Sequence, residues 1–230
     1  MVATPSDDRK YRHRREQLVD TLRSRGIHDE RVLAAVGAVP RHAFVDPALR
    51  ERAYTDEALP IGLNQTISQP FTVAYQTALL EVGPDDRILE VGTGSGYQAA
   101  VLCEMGARVF SVERHEDLLA RARRLLDEIG YDVRTRHGDG TKGWPAFAPY
   151  DGIVVTAGAP TIPESLLRQL REPAEEDGRR GGRLVIPIGG RGGQTMTRVA
   201  RTGSGPHDYE REEFHSFRFV PLVSEGGDDS

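Results

Sequence analysis

The sequence has 230 residues, of which 38% are hydrophobic and 28% are charged, and its formal net charge is −5. This size and composition predict a soluble globular protein with a full core, and the negative charge argues against broad, nonspecific binding to nucleic acid. The single cysteine, Cys103, excludes a disulfide framework and a cysteine-based zinc site within one chain, and no apolar run is long enough to span a membrane. The first residues form no apolar signal segment, so we expect a cytoplasmic monomer with no metal, nucleic-acid or membrane partner.

The chain begins with two predicted amphipathic helices. The first follows a basic run, residues 9–15, and stops at Gly26. That run could contact nucleic acid, but the solvated face of a helix is the favoured interpretation. Asp29 caps the second helix, which ends before Pro40, and residues 41–63 are predicted as short helical turns and loop.

A serine lies directly before the next predicted helix. That helix starts at Pro70, because proline is favourable in a first helical turn, so Ser68 lies beside a helix N-terminus. A hydroxyl and the free backbone N–H groups at such a position form a natural anion site. The alternative is that Ser68 only caps the helix.

From residue 86 onward, strands and helices alternate. Predicted strands lie at 87–91, 108–113, 133–138, 151–156 and 183–188. Predicted helices lie between them at 97–105, 115–129 and 163–171. Residues 195–200 and 217–220 add one or two further strands. This βαβ rhythm predicts an α/β fold with a doubly wound, mostly parallel Rossmann-like sheet and an N-terminal helical extension. We expect a single domain over residues 1–230, with a helical substrate-site portion at 9–85, a cofactor core at 86–223 and a disordered tail at 224–230.

The residues most indicative of a ligand site lie in a glycine-rich turn after the first of these strands. The glycines alternate as Gly92-x-Gly94-x-Gly96, with Glu90 two residues earlier, and Glu113 closes the next strand, where it can take ribose hydroxyls. The spacing is one residue shorter than the dinucleotide fingerprint G-x-G-x-x-G. The E-x-G-x-G-x-G form resembles the first motif of class I S-adenosylmethionine-dependent methyltransferases. The alternative is a structural glycine turn in another α/β protein.

Two further loops should reach the same edge of the sheet. Asp139, between Gly138 and Gly140 at the end of the third strand, is placed to accept a hydrogen bond from an adenine amino group, unless it is only a turn aspartate. Thr156 and Ala157 follow the fourth strand. Ligands in such sheets bind at the carboxyl ends of the strands, so both loops are candidate site segments.

The side chains around that edge exclude several methyl acceptors. No Asn/Asp-Pro-Pro-aromatic tetrad follows the fourth strand, Cys103 is on the wrong element for cytosine chemistry, and no His or carboxylate set could activate a hydroxyl. The rim of Thr66, Ser68, Thr156 and Ala157 is small and uncharged. Such a rim suits a carboxylate, which is ionised at neutral pH because its unperturbed pKa is about 4. This argument favours Ser68 as a substrate-site residue.

Several segments match one family within this class as they stand. They include Gln65-Thr66-Ile67-Ser68-Gln69-Pro70, Glu90 through Gln98, Gly138-Asp139-Gly140, and Arg218-Phe219-Val220-Pro221-Leu222. The chain resembles the protein-L-isoaspartate O-methyltransferases from about Arg9 to Leu222, and the Gln-Thr-Ile-Ser-x-Pro segment is the most specific match. The resemblance implies methyl transfer from S-adenosylmethionine to the free α-carboxylate of L-isoaspartyl residues in damaged proteins or peptides, which leaves S-adenosylhomocysteine. The ester then closes to a succinimide, which begins repair.

The resemblance also implies roles for individual residues. Ser68 matches the active-site serine, and the implied substrate site is Thr66, Ser68, Thr156 and Ala157. The implied cofactor residues are Gln65, Thr66, Ile67, Glu90, Gly92, Thr93, Gly94, Ser95, Gly96, Glu113, Asp139 and Gly140. Glu90 is expected to order the turn or to reach the methionine end through water. Two departures from the family are Asn64, where glycine is common, and an apparent insertion at 172–180, whose composition predicts a solvated loop.

Three other functions compete with repair. One is a peptide-tailoring carboxyl methyltransferase that acts on aspartate in a precursor peptide, and no extra recognition domain is evident for it. A second is a non-catalytic module that keeps the cofactor fold, although none of its expected glycines or acids is missing. The third is a nucleic-acid methyltransferase that uses the basic N-terminal run.

Overall fold

The N-terminal helices form as predicted. The computed structural model describes residues 9–174, 178–190 and 192–223, and helices α1 (Arg9–Ser24) and α2 (Glu30–Ala38) open it. The Asp29 side chain caps α2 by accepting the amides of Arg31 and Val32. On α1, Lys10 and Arg14 both pair with Glu51, so part of the basic run contacts the protein's own surface.

A small hairpin replaces part of the predicted loop. After two 3-10 turns, strands β1 (Leu59–Gly62) and β2 (Gln65–Ile67) pair antiparallel, and helix α3 (Pro70–Leu80) follows. The two connecting residues, Leu63 and Asn64, have φ values of +50° and +55°. Tight hairpin turns need this left-handed conformation, which asparagine tolerates better than most residues. Asn64 therefore suits the left-handed conformation of this turn.

The remaining strands form one seven-stranded sheet. They are β3 (Arg87–Val91), β4 (Arg108–Glu113), β5 (Val133–His137), β6 (Gly152–Val155), β7 (Arg183–Gly190), β8 (Gly193–Arg201) and β9 (Tyr209–Phe217), in the order β5-β4-β3-β6-β7-β8-β9. The first five in that order are parallel, and β8 and β9 complete an antiparallel meander at the far edge. The connecting helices are α4 (Tyr97–Glu104), α5 (Glu116–Ile129) and α6 (Glu164–Leu167). The doubly wound, mostly parallel sheet is confirmed.

Two element boundaries were predicted wrongly. Helix α6 ends at Leu167 rather than near 171, because the next residues pair with Tyr150, whose amide donates to Gln169 O at 2.8 Å. The last strand is 209–217, not 217–220. It is an edge strand of mixed polarity, so its alternation of apolar and polar residues is weak. The apolar segment after it is not part of this strand, and its Val220 O accepts the Gly158 amide at 2.8 Å.

Apolar clusters cover both faces of the sheet. On β3, Ile88 packs in the cluster that contains Leu22 of α1, whereas Leu89 and Val91 pack in the cluster on the other face. All three strand side chains are at most 1% exposed, which explains the continuous apolar run of a buried parallel strand. Within the described ranges, no helix combines the length and the apolar character that a membrane crossing needs. The predicted disordered tail, 224–230, and residues 175–177 of the insertion lie outside the described residues.

Candidate active site

The sheet reverses its winding between β3 and β6. From β3 the chain continues outward through β4 and β5, and it then crosses back to add β6 and β7 on the other side. The carboxyl ends of β3 and β6 therefore open onto one crevice, where the chain continues into Gly92 and Thr156. Crevices at such switch points are the usual ligand sites of open α/β sheets.

The glycine turn combines a tight contact with an open position. Gly92 has φ +96°, and a Cβ there would collide with Thr156 Oγ1, so this glycine lets β3 and β6 approach closely. Gly94 has φ +53°, and among the described residues a Cβ there would meet only Ile61 Cδ1, at 3.5 Å. The turn therefore leaves space above Gly94, next to the hairpin.

Glu113 holds the glycine turn from the neighbouring strand. Its Oε2 accepts the Gly94 amide at 2.9 Å, and its Oε1 accepts the His115 amide at 2.9 Å. The residue is 5% exposed. Each carboxylate oxygen can accept two hydrogen bonds, so these contacts leave acceptor capacity for a ligand.

Glu90 orders the turn from beneath. It is fully buried, its Oε2 accepts the Ser111 hydroxyl at 2.5 Å, and Ser111 Oγ is 2.6 Å from Thr93 Oγ1. Burial raises the pKa of the Glu90 carboxyl from its ordinary value of 4.5 to about 8, while the Ser111 hydrogen bond opposes the shift and the Glu113 charge adds to it. Ser111 was not among the predicted site residues, and it meets Glu90 because the two residues are paired in the β3–β4 register.

We expect Glu90→Gln to weaken the pH dependence of stability. The unfolded chain ionises Glu90 near its ordinary pKa of 4.5, whereas the folded chain resists ionisation until pH reaches about 8. Rising pH therefore lowers the free energy of unfolding across that window, by up to about 1.4 kcal/mol per pH unit. Urea unfolding without cofactor should show the wild type losing about 2–4 kcal/mol more than Glu90→Gln between pH 5 and pH 8.

The control for that measurement is Glu128→Gln, which changes an exposed glutamate on α5. Its pH dependence should follow that of the wild type. Equal pH dependence in the Glu90→Gln variant and the wild type would contradict a neutral buried carboxyl.

Asp139 stabilises the turn in which it lies through its own side-chain hydrogen bonds. Its Oδ1 accepts both the Thr141 amide, at 2.9 Å, and the Thr141 hydroxyl, at 2.6 Å, while Oδ2 is 4.0 Å from Lys142 Nζ. A Cβ on the next residue, Gly140, would collide with Val91. This loop therefore packs directly on β3, and the adenine contact of Asp139 stays a prediction.

Ser68 does not cap the helix that follows it. The cap position is Gln69, and Ser68 makes no side-chain hydrogen bond within the described part of the chain. Asp56 binds the helix terminus instead, because its Oδ1 accepts the Phe71 amide at 2.8 Å. Asp56 also contacts Arg25, whose guanidinium lies 4.0 Å from the centre of the Phe71 ring. The expected anion site at the start of α3 is thus partly filled by the protein's own carboxylate.

Ser68 faces a groove of about 800 Å³. Thr66 and Thr156 share this groove, which is also lined by residues 192–193 at the start of β8 and by residues 215–220, the end of β9 and the segment directly after it. The Thr156 hydroxyl is engaged, since it donates toward Gly92 O at 2.8 Å and lies 3.1 Å from Val91 O. Ala157 is 8% exposed and does not line the groove, so the structure brings together three of the four expected substrate residues.

The remaining expected cofactor residues lie around the same crevice. Ile67 is 4% exposed and packs in the core, so only its backbone is available to a ligand. Gln65 turns its side chain toward Leu63 O at 3.4 Å, and Ser95 Oγ accepts the Tyr97 amide at 3.4 Å. Arg25 and Asp56 were not among the predicted site residues, because no local sequence pattern links them to Ser68.

The fold and the crevice together define a class of protein. A doubly wound sheet with an E-x-G-x-G-x-G turn at its switch point and an acid at the end of the next strand is the arrangement of a class I S-adenosylmethionine-dependent methyltransferase. A family model described as protein-L-isoaspartate(D-aspartate) O-methyltransferase matches residues 13–227. The chain belongs to this family.

Individual proteins agree with that assignment. A protein-L-isoaspartate O-methyltransferase of Salinibacter ruber is 85% identical over 225 residues, which cover 98% of each chain. One from Christiangramia forsetii is 49% identical and covers 94% of this chain and 97% of its own. A solved protein-L-isoaspartate O-methyltransferase superposes with a TM-score of 0.78 at 28% identity, over 93% of this chain and 67% of its own. A Plasmodium falciparum structure, described as a complex with S-adenosyl-L-homocysteine, shares the fold with a TM-score of 0.75 at 24% identity.

Proposed function

We propose that the groove beside the glycine turn holds an isoaspartyl residue, and that the chain methylates its free α-carboxylate with S-adenosylmethionine. The substrates are damaged proteins or peptides, and the ester closes to a succinimide, which begins repair. The observation that carries this proposal is the uncommitted hydroxyl of Ser68, which lies in one groove with Thr156 at the crevice. Family membership supports the same reaction.

The residues at the crevice fit the methyl donor. Gly94 leaves room for close approach, the Glu113 carboxylate keeps acceptor capacity for ribose hydroxyls, and Asp139 lies on the loop expected to meet the adenine. When bound, S-adenosylmethionine supplies a methyl group activated by a sulfonium. Gln65, Thr66 and Ile67 would border it from the hairpin.

The acceptor needs orientation rather than activation. A carboxylate with a pKa of about 4 is already ionised at neutral pH, so no general base is required. Ser68 would donate a hydrogen bond to one oxygen and leave the other to react, with Thr66 beside it. Holding two reactants in line can lower the barrier by about 7–11 kcal/mol. Phe71 and Phe217, whose ring centres are 6.3 Å apart, keep this wall of the groove apolar.

Matched peptides test the reaction. Two peptides of one sequence, one with aspartate and one with isoaspartate, are incubated with the chain and a methyl-labelled donor. We expect base-labile methyl ester on the isoaspartyl peptide only. Equal labelling of both peptides, or none, would contradict the proposal, and labelling of aspartate within a longer precursor would favour the peptide-tailoring alternative.

We also propose that the chain acts as a cytoplasmic monomer, with no nucleic-acid or membrane partner. The pairing of Lys10 and Arg14 with Glu51 supports a structural use of the basic run. Among the described residues, Leu63 is the one large hydrophobic side chain that is exposed, which is not the extended apolar patch typical of an obligate interface.

A further inference from the structure

The groove that contains Ser68 is lined by basic and neutral side chains. Arg25, Arg218 and His215 line it, and no carboxylate is among its described lining residues. The whole chain, in contrast, has a formal net charge of −5. The positive character of the groove is therefore local and not a consequence of overall composition.

The two arginines differ in how their charges are balanced. Arg25 contacts Asp56, whose side chain is 11% exposed, and it also stacks on Phe71. Arg218 is exposed and has no acidic partner in the described part of the chain. His215 Nδ1 lies 3.1 Å from the Tyr75 hydroxyl. Arg218 is thus the cation of the groove wall whose charge the protein leaves unbalanced.

The positive charge of Arg218 is poorly suited to binding the reacting carboxylate. During transfer the carbon–sulfur bond breaks while an oxygen–carbon bond forms, so a carboxylate and a sulfonium become a neutral ester and a thioether. A guanidinium on the reacting carboxylate would stabilise the anionic reactant more than the transition state, which would raise the barrier. The neutral Ser68 hydroxyl orients the carboxylate with less of this penalty. A guanidinium suits a group that stays anionic throughout the reaction.

We propose that Arg218 makes the enzyme favour isoaspartyl sites that have an aspartate or glutamate side chain nearby in the peptide. The inference rests on the proposed function and specifies its substrate class. A solvent-exposed pair of unit charges in contact is worth about 1 kcal/mol in water, which corresponds to about fivefold in kcat/KM. Because the pair is exposed, salt should screen it.

The test compares two isoaspartyl peptides that differ in one flanking residue, glutamate or glutamine. For the wild type we expect kcat/KM to be about fivefold higher with glutamate, and raising salt from about 0.05 M to about 0.5 M should shrink that ratio. Arg218→Gln should bring the ratio to about one, and Arg218→Glu should invert it. Arg124→Glu, an exposed site on α5 outside the groove, makes the same charge change and should leave the ratio unaltered.

The outcomes separate this inference from the proposed function. If the wild type methylates neither peptide, the proposed function fails. If it methylates both with equal kcat/KM, or if Arg218→Gln keeps the preference, only the assignment of Arg218 is overturned. An equal rise in KM on both peptides in Arg218→Gln, with kcat kept or increased, would place the guanidinium on the reacting carboxylate and would also overturn the assignment. Thermal melting of each variant reports whether its fold is retained.

Discussion

We expect Gly94→Val to bind S-adenosylmethionine at least about 100-fold more weakly than the wild type, a loss of about 2.7 kcal/mol or more. The protein itself leaves room for a side chain, since a Cβ at Gly94 meets only Ile61 among the described residues. In the proposed site, the methyl donor occupies this open space beside the Gly94 backbone. Valine is also strongly disfavoured at φ +53°, so the turn would shift and the Gly94 amide would move off Glu113. Isothermal titration calorimetry measures the affinity directly.

A matched variant isolates the effect of backbone strain. Gly130 ends α5 with φ +89°, and nothing described lies within 4 Å of a Cβ placed there. Gly130→Val therefore has comparable strain without touching the crevice, and both variants should lose stability by about 1–3 kcal/mol. Unchanged affinity in Gly130→Val, with lost affinity in Gly94→Val, is the expected pair. Retained affinity in Gly94→Val would contradict close approach of the donor to the turn.

We expect Ser68→Ala to lower kcat by about 10- to 100-fold, the equivalent of the 1.5–3 kcal/mol typical of a hydrogen bond to a charged group. The variant removes the donor that would orient the acceptor, and it breaks no described hydrogen bond within the protein. In the proposed site the methyl donor contacts the glycine turn and not the Ser68 hydroxyl, so we expect its dissociation constant to change less than about twofold. Single-turnover methylation of the isoaspartyl peptide separates the chemical step from binding.

The control for Ser68→Ala is Ser24→Ala, which removes an exposed hydroxyl that donates to Thr21 O on α1. It should keep wild-type turnover. Ser68→Cys retains a weak donor and should give an intermediate rate. If cofactor affinity collapses in Ser68→Ala while turnover per bound enzyme is unchanged, Ser68 belongs to the donor site and not to the acceptor.

The cofactor side of the site could be predicted because its signals are local. The apolar run of β3, the alternating glycines and Glu113 at the end of β4 lie within a short stretch, and each has a direct physical meaning. The same holds for Asp29, which caps α2 two residues from the amide of Arg31. Strand periodicity and the βαβ rhythm likewise determined the parallel part of the sheet. The strand pattern failed at the short hairpin β1–β2 and at the polar edge strand β9.

The acceptor side was decided by tertiary structure. Asp56 binds the amide of Phe71 from 15 residues away, and Ser111 joins Glu90 to Thr93 only because β3 and β4 pair in that register. The wall that faces Ser68 comes from the segment that contains Arg218, about 150 residues further along the chain. Local patterns specify which residues form a helix, strand or turn. Long-range packing and strand register specify which side chains meet. The sequence by itself therefore determined the glycine turn and three residues of the groove, whereas only the folded chain determined the opposite wall of the groove.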